Sequence, residues 1–266
     1  MKRLILLLLI SYSCFSQNYT YFAGSRSSSL AHSSVSLVDI WSSFHNQASL
    51  AFIEADQIAI SYQNRFGLKD LSTASLAYLK SYPFGNLGIN ISAFGFEQFN
   101  QSKMALNFSR KFGESLSMGA QANIENQFIE EKGNQSIFTW EFGILSKPLK
   151  KVQVGIHLYN PMNSNWESEI DINTNLGLRF GANYSPNPET LICAEIQKWA
   201  DWPETYSLGF EYSFFQYLLL RCGFAFPDNS QHFGLGLKLK KLQIDQALEY
   251  SSFLGSSLSL SLNYEI

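Results

Sequence analysis

The stretch that decides the fold runs from Leu116 to Phe128 and reads LSMGAQANIENQF. Its even positions are mainly apolar, whereas its odd positions hold Ser, Gly, Gln, Asn and Glu. Successive residues of a β-strand point to opposite faces, so this segment has one apolar face and one polar face. Residues 258–264 repeat the pattern, with Leu or Tyr alternating with Ser and Asn. Polar faces with few charges are typical of strands that line the lumen of a membrane barrel.

The same alternation predicts fourteen strands along the chain. They are 57–66, 72–82, 86–97, 102–112, 115–128, 135–146, 150–159, 174–185, 190–199, 204–213, 216–226, 231–240, 242–250 and 256–265. An even number suits a single-chain bacterial barrel, and tight turns alternate with connections that are mostly longer. We therefore predict an all-β fold: a 14-stranded antiparallel transmembrane β-barrel over residues 56–266, with both termini on the periplasmic side.

The first sixteen residues have the pattern of a cleaved secretory signal peptide. Lys2 and Arg3 give a positive start, residues 4–10 are apolar, and a short polar stretch leads to Ser16. We place cleavage after Ser16; acylation of Cys14 is the lipoprotein alternative. No later stretch approaches 18 uninterrupted apolar residues, so export leads to the periplasm or to an outer-membrane barrel. The aromatic content of 15% favours the barrel, whose interfaces use such rings, and we predict the cell outer membrane, with its lipid as a partner.

Composition excludes one class of partner. Loss of Lys2 and Arg3 with the signal makes the chain more acidic than its formal net charge of −3. It contains no basic run, so nucleic acid is not expected as a partner.

Residues 17–55 do not alternate and are rich in Ser and Ala, with a few bulky side chains. This segment is too polar to face lipid, and we predict a plug inside the lumen or at its periplasmic mouth. Ser33, Asp39 and Asn46 are candidate helix N-caps. Arg26 and Asp39 should meet charges of the wall, because an unpaired buried charge is costly.

Charged residues recur on the polar faces of the eighth to thirteenth predicted strands. They are Arg179, Glu195, Glu211, Arg221, Lys238, Asp245 and Glu249. Opposite charges on neighbouring strands can pair across a sheet. The row could line a path for a polar ligand or form an internal salt-bridge network, and the cost of unpaired charge in a shielded lumen favours the network.

Strand parity also sets the orientation of individual side chains. Around residue 140 it predicts three residues facing lipid and three facing the lumen: Trp140, Phe142 and Ile144 outward, and Thr139, Glu141 and Gly143 inward. A Gly143→Ser substitution is accordingly expected to be mild. Cys193 falls on a polar face and Cys222 on an apolar face, so a disulfide between them is not expected.

The plug residues resemble a known family. The order Gly24-Ser-Arg26, a run of small residues, Asp39, Trp41 and Phe44, then Asn46-Gln-Ala48 and Leu50 resembles the amino-terminal signature of PorV/PorQ-like proteins. These belong to the wider FadL-like family of outer-membrane barrels. The signature usually reads Asn-Pro-Ala, and Gln47 replaces the proline here.

This resemblance implies a Bacteroidota-type outer membrane and a role as an accessory subunit of type IX protein secretion, acting through protein partners. FadL-like members are transporters of hydrophobic compounds, which makes transport of a hydrophobic small molecule or lipid the alternative. An accessory role in an outer-membrane protein assembly machine is a further alternative. Short outer connections favour an accessory role.

Three tryptophans are candidate partner contacts: Trp166, in the 160–173 connection, and Trp199 and Trp202, near the 198–204 connection. Exposed aromatic rings can act as hot spots of protein interfaces. The alternative is that these rings are interfacial anchors in the membrane.

The sequence does not indicate catalysis. The four histidines are scattered, and no Gly-x-Ser-x-Gly, His-Glu-x-x-His or phosphate-loop motif is present. We therefore expect a protein that is not an enzyme and that has no cofactor and no metal ligand set.

Overall fold

A computed structural model describes residues 22–166, 176–200, 202–252 and 254–266. The predicted signal peptide lies outside these residues. Within them, fourteen strands form one closed antiparallel barrel, in which each strand pairs with the next and the last pairs with the first. The prediction of a 14-stranded barrel is confirmed.

The wall consists of β1 (Gln57–Asn64), β2 (Ser72–Lys80), β3 (Asn86–Gly95), β4 (Phe99–Phe112), β5 (Leu116–Ile129), β6 (Gly133–Leu149), β7 (Val152–Tyr159), β8 (Gly177–Asn187), β9 (Thr190–Trp199), β10 (Thr205–Phe214), β11 (Leu218–Phe226), β12 (Ser230–Leu239), β13 (Leu242–Ser251) and β14 (Gly255–Glu265). A short 3-10 helix, Lys69–Leu71, lies between β1 and β2.

Two strands run past their predicted ends, residues 146 and 185, and through a proline. β6 continues through Pro148 to Leu149, and β8 continues through Pro186 to Asn187. In each case the register with the following strand shifts at that point. Proline lacks the N–H that a ladder requires, so the chain passes it as a bulge and turns a little later.

The faces of the wall follow the predicted parity. On β4, Leu106 is 58% exposed on the outer side, whereas its neighbour Asn107 is 1% exposed on the inner side. Phe142 and Ile144 are exposed outside, while Thr139 and Glu141 are fully buried inside. Cys193 is buried and Cys222 is exposed, on opposite faces as predicted.

The two ends of the barrel differ. One end, here called the turn end, carries the connections 81–85, 113–115, 150–151, 188–189, 215–217 and 240–241 together with the C-terminal residues of the chain. The opposite end, here called the loop end, carries seven connections. The longest of these joins β7 to β8, and its residues 167–175 lie outside the described part of the chain.

Residues 22–55, here called the plug, fill the lumen. They contain the helix α1 (Ser25–Ser29) and two 3-10 helices, Ile40–Phe44 and Gln47–Phe52. α1 packs against β11–β14, the first 3-10 helix against β1–β3, and the second against β4–β6, so the plug reaches walls all around the barrel. No helix in the described ranges is long and apolar enough to cross a membrane.

Caps and a small apolar core shape the plug. Asp39 and Asn46 cap the two 3-10 helices by accepting backbone N–H groups, whereas Ser33 caps no helix and Gly24 precedes α1. A cluster of buried apolar side chains joins the plug to β1 and β2: Ala23, Ile40, Trp41, Phe44, Leu50, Ile53, Ala59, Ala77 and Leu79.

Candidate functional site

A row of inward-facing wall glycines receives the plug. The row comprises Gly119, Gly143, Gly155, Gly181, Gly209, Gly223 and Gly234, on β5 to β8 and β10 to β12. A Cβ on Gly119 would lie 2.6 Å from the Ala48 nitrogen, and one on Gly223 would lie 2.6 Å from the Ala31 nitrogen. Glycine inside a strand commonly marks the close approach of another backbone. These positions let the plug backbone lie directly against the wall.

The expectation that Gly143→Ser is mild is therefore wrong. A Cβ on Gly143 would overlap the side-chain oxygen of Asn46. That side chain is fixed because its Nδ2 donates to Val35 O at 2.7 Å and to Ile144 O at 3.1 Å. Strand parity correctly predicted that Gly143 faces the lumen. It could not predict that Asn46 of the plug occupies the space beside Gly143.

The first charge cluster lies between α1 and strands β10 to β13. Arg26 donates to both oxygens of Glu211, at 2.9 and 2.8 Å, and to Asp39 at 3.0 Å. Arg221 bridges Glu211 at 2.6 Å and Asp245 at 2.7 Å. Two arginines thus share three carboxylates, and the plug arginine is part of the wall network.

The second cluster centres on Arg179 of β8. Its Nε donates to Glu195 at 2.6 Å, and its other nitrogens donate to the backbone oxygens of His45 and His32 and to Ser34 Oγ. Glu195 in turn accepts the backbone N–H groups of Ser34 and Val35. One buried ion pair therefore binds two separate parts of the plug.

A third cluster surrounds Glu141 of β6, and sequence reasoning did not include it in the network. Glu141 pairs with Lys103 and His157 and accepts the side-chain amide of Gln47 at 2.7 Å. Gln47 of the plug thus bonds directly to the wall. Strand parity could have predicted this cluster from the sequence, because Lys103 lies on the same polar face of β4 as Asn107.

Lys238 and the three predicted tryptophans lie outside these three charge clusters. Lys238 is exposed near the turn end, and the described residues include no ion pair for it. Trp199 faces the lumen: it packs over Gly177 and its ring meets the ring of Tyr159 at 5.7 Å. Trp199 lies four residues after the buried Glu195 on β9, so strand parity already predicted that both side chains face the lumen. Trp166 and Trp202 are half-buried near the loop end.

Burial also affects the charges carried by the plug. Burial acts to lower the pKa of Arg26, but Glu211 and Asp39 outweigh it and raise that pKa above the ordinary value. Burial raises the pKa of Asp39, although Arg26 opposes the change. Burial and the nearby Arg179 hold the pKa of His45 well below its ordinary 6.5, so this imidazole is neutral and donates from Nε2 to Ala23 O at 2.8 Å.

Acidification is therefore expected to weaken the barrel through His45. In the unfolded chain this imidazole takes up a proton near pH 6.5, but in the folded chain it does so only at a lower pH. The unfolded state then binds more protons, so stability is complete above about pH 6.5 and falls as the pH drops below it. Urea unfolding at pH 7.5 and 5.5 measures the loss. His45→Gln keeps a donor for Ala23 O, and its free energy of unfolding should change less between these two pH values than that of the wild type. An equal change in both proteins would show that His45 is not responsible for the loss.

Part of the lumen beside the plug is an open cavity. It measures about 510 Å³ and lies at the turn end, between the plug and the strands. Arg26, Asp39 and Glu211 lie on its inner side, and Lys240 and Lys241 on its rim. This is a mixed-charge vestibule rather than an apolar binding pocket.

The wall is laddered between all neighbours, but β6 pairs with β7 only from Glu141 to Leu149, so the loop-end part of β6 extends beyond β7 in the described ranges. All fourteen neighbouring strand pairs are hydrogen-bonded, and the register shifts only at Pro148 and Pro186, both near the turn end. A molecule that crosses this barrel along its axis would have to pass the plug.

Comparisons with solved structures identify the architecture. The toluene transporter TbuX of Ralstonia pickettii superposes with a TM-score of 0.75 at 10% identity, over 93% of this chain and 99% of that one. The fold is that of FadL-like outer-membrane barrels. The monoaromatic hydrocarbon channel CymD gives a TM-score of 0.72 at 12% identity, over 91% and 97% of the two chains. A Pseudomonas aeruginosa FadL homologue gives 0.64 at 12% identity, over 91% and 98%.

Two of these structural neighbours, CymD and TbuX, are described as a channel and a transporter. No protein-family model and no curated protein matches the sequence. The shared FadL-like fold supports an outer-membrane location.

Proposed function

We propose that this chain is a plugged outer-membrane barrel that passes small hydrophobic compounds across the outer membrane, with the plug as its movable closure. The observation that carries the proposal is a fold shared over nine-tenths of the chain with hydrocarbon channels and a toluene transporter. An exposed apolar outer face around the wall supports the membrane setting. The orientation that suits it places the turn end, with its short connections, in the periplasm.

The plug has the contacts expected of a closure that can move. It is held mainly by polar bonds, such as Arg179 to His45 O and Asn86 to Leu50 O, rather than by a large apolar core. Polar bonds of this kind can be exchanged for water at modest net cost. Passage along the barrel axis then requires displacement of the plug, because the plug contacts strands on several sides of the lumen.

The direct test uses the purified barrel in liposomes. Uptake of toluene or of a fluorescent fatty acid into barrel-containing liposomes should exceed uptake into protein-free liposomes and into liposomes that hold an unrelated 14-stranded barrel. Equal uptake in all three would reject the transport proposal.

A second candidate function is an accessory subunit of a protein secretion or outer-membrane assembly complex, such as the type IX system. Mostly short loop-end connections and a charged cavity at the turn end favour it, because neither feature suits a hydrophobic cargo. Trp166 and Trp202 are then the proposed contacts. Purification from native outer membranes separates the two functions: a stable co-purifying protein complex, lost on Trp202→Ala, supports the accessory role.

The membrane setting has its own test. Phe142 is exposed on the outer face of β6, so Phe142→Arg should destabilise the membrane-inserted barrel by about 2–4 kcal/mol, the cost of Arg at the bilayer midplane. Folding into lipid vesicles, measured by heat-modifiable migration in SDS gels, reports the loss. Phe142→Leu is the matched control and should fold normally. Equal folding of both variants would show that this face does not meet lipid.

A further inference from the structure

Three potential metal ligands meet where the plug contacts β12 and β13. His232 and Glu249 are direct cross-strand partners on the inner face of the wall, and His32 approaches them from the plug. One donor atom from each residue lies within 4.8 Å of the others. All three residues are near the loop end, and their side chains take no part in the charge clusters described above, although the backbone carbonyl of His32 accepts from Arg179.

Hydrogen bonding prepares His232 to act as a ligand. Its Nδ1 lies 2.7 Å from Ser28 O, so that nitrogen carries the proton and donates it to the carbonyl. Its Nε2 is then an acceptor, and the hydroxyl of Ser230 donates to it at 2.9 Å. Metal-binding histidines commonly donate their second N–H to a backbone carbonyl in this way, which fixes the tautomer and the ring orientation. When a metal ion binds, Nε2 of His232 loses the hydrogen bond from Ser230 and coordinates the ion instead.

His32 is held in place from several directions. Its backbone N–H donates to Ser27 O at 2.9 Å, and its carbonyl accepts from Arg179 at 3.1 Å. Its ring stacks on Phe22 at 4.5 Å and meets the edge of His232 at 5.6 Å.

The contact between His32 and Glu249 is too long to be a good hydrogen bond. His32 Nε2 lies 3.8 Å from Glu249 Oε2, beyond ordinary hydrogen-bond distance. That separation is close to the distance between two ligands on one metal ion, since Zn–N and Zn–O bonds are about 2.0–2.2 Å. The His32 and Glu249 side chains are 19% and 22% exposed, so solvent reaches the donors.

We propose that His32, His232 and Glu249 bind one Zn²⁺ ion and that this ion fastens the plug to the wall. Two imidazoles and one carboxylate are a recognised zinc ligand set, which leaves a fourth position for water. Imidazole nitrogen favours zinc and its neighbours over Mg²⁺ and Ca²⁺, which prefer oxygen ligands. The ion would join a plug residue to two adjacent strands. This inference does not depend on the transport proposal.

Metal titration tests the site. The purified barrel, without a histidine tag and stripped with chelator, is titrated with ZnCl₂ by calorimetry, with MgCl₂ as the comparison metal. One Zn²⁺ ion per chain should bind and Mg²⁺ should not. His32→Gln, His232→Gln and Glu249→Gln should each weaken Zn²⁺ binding by at least about tenfold, since even loss of a hydrogen-bond partner of a ligand costs that much. His45→Gln, a change elsewhere in the plug, should bind like the wild type.

Three further measurements check that the variants are folded and that the predicted side chains bind the ion. Heat-modifiable migration in SDS gels shows whether each variant is folded, and X-ray absorption of the zinc-loaded wild type shows whether two imidazoles coordinate the ion. Zn²⁺ should also raise the temperature at which the wild type unfolds, but not that of the folded ligand variants. Absence of saturable Zn²⁺ binding by the wild type, absorption without imidazole ligands, or unchanged binding in all three variants would overturn the proposal.

Discussion

Replacement of Arg179 with methionine is expected to cost about 3–5 kcal/mol of the free energy of unfolding, because it leaves a buried carboxylate without its partner. The Glu195 side chain that would lose this partner is fully buried, and the same substitution removes bonds to His32, Ser34 and His45. The plug should loosen together with the wall. Urea unfolding in lipid vesicles measures the energy, and trypsin cleavage after Arg26 reports release of the plug.

Two comparisons isolate the buried charge as the cause. Arg179→Met combined with Glu195→Gln removes the stranded charge and should recover part of the lost stability. Lys198→Met breaks an ion pair with Glu204 whose side chains are 45% and 48% exposed, and it should cost at most about 1 kcal/mol because solvent screens such pairs. If Arg179→Met and Lys198→Met lose similar amounts, Arg179 does not anchor the plug.

Gly155→Val should displace the plug from the lumen. A Cβ at position 155 would overlap the carbonyl oxygen of Val35 and lie 2.7 Å from its carbon, and backbone atoms cannot move aside as a flexible side chain can. Overpacking of this kind costs about 1–3 kcal/mol. We expect the barrel to assemble with faster trypsin cleavage after Arg26 and with raised ion conductance in planar bilayers.

The matched control for Gly155→Val is Ala194→Val. Ala194 is exposed on the outer face of β9, where a larger side chain meets only the surroundings of the barrel. The Ala194→Val barrel should show the same trypsin cleavage after Arg26 and the same ion conductance as the wild type. A Gly155→Val barrel that remains as protected and as closed as this control would show that the plug does not require close approach at β7.

The sequence predicted the wall of this barrel well. Period-two alternation located all fourteen strands and the lumenal side of residues such as Glu141 and Glu195, because burial of one face of a strand is a local property of the chain. Its errors fell at Pro148 and Pro186, where a bulge lets the strand continue. Lys103 and Trp199 could have been assigned to the lumen by parity alone.

The plug was predicted as a segment, and two of its caps, Asp39 and Asn46, were recognised. Sequence reasoning predicted that Arg26 meets a charge of the wall, but it could not identify the partners, because the contacts join residues more than a hundred positions apart, such as Arg26 with Glu211 and His45 with Arg179. From the sequence alone, the inward glycines are only residues that disfavour a strand. The structure shows that a side chain at these positions would overlap the plug.

The sequence by itself determined the number of strands, their faces and the lumenal side of the charges, since each follows from the periodicity of short segments. Only the tertiary structure decided which charges pair, which glycines the plug touches and how His32 meets His232 and Glu249. The physical reason is closure: residues distant along the chain become neighbours only when β14 pairs with β1 and the plug is enclosed.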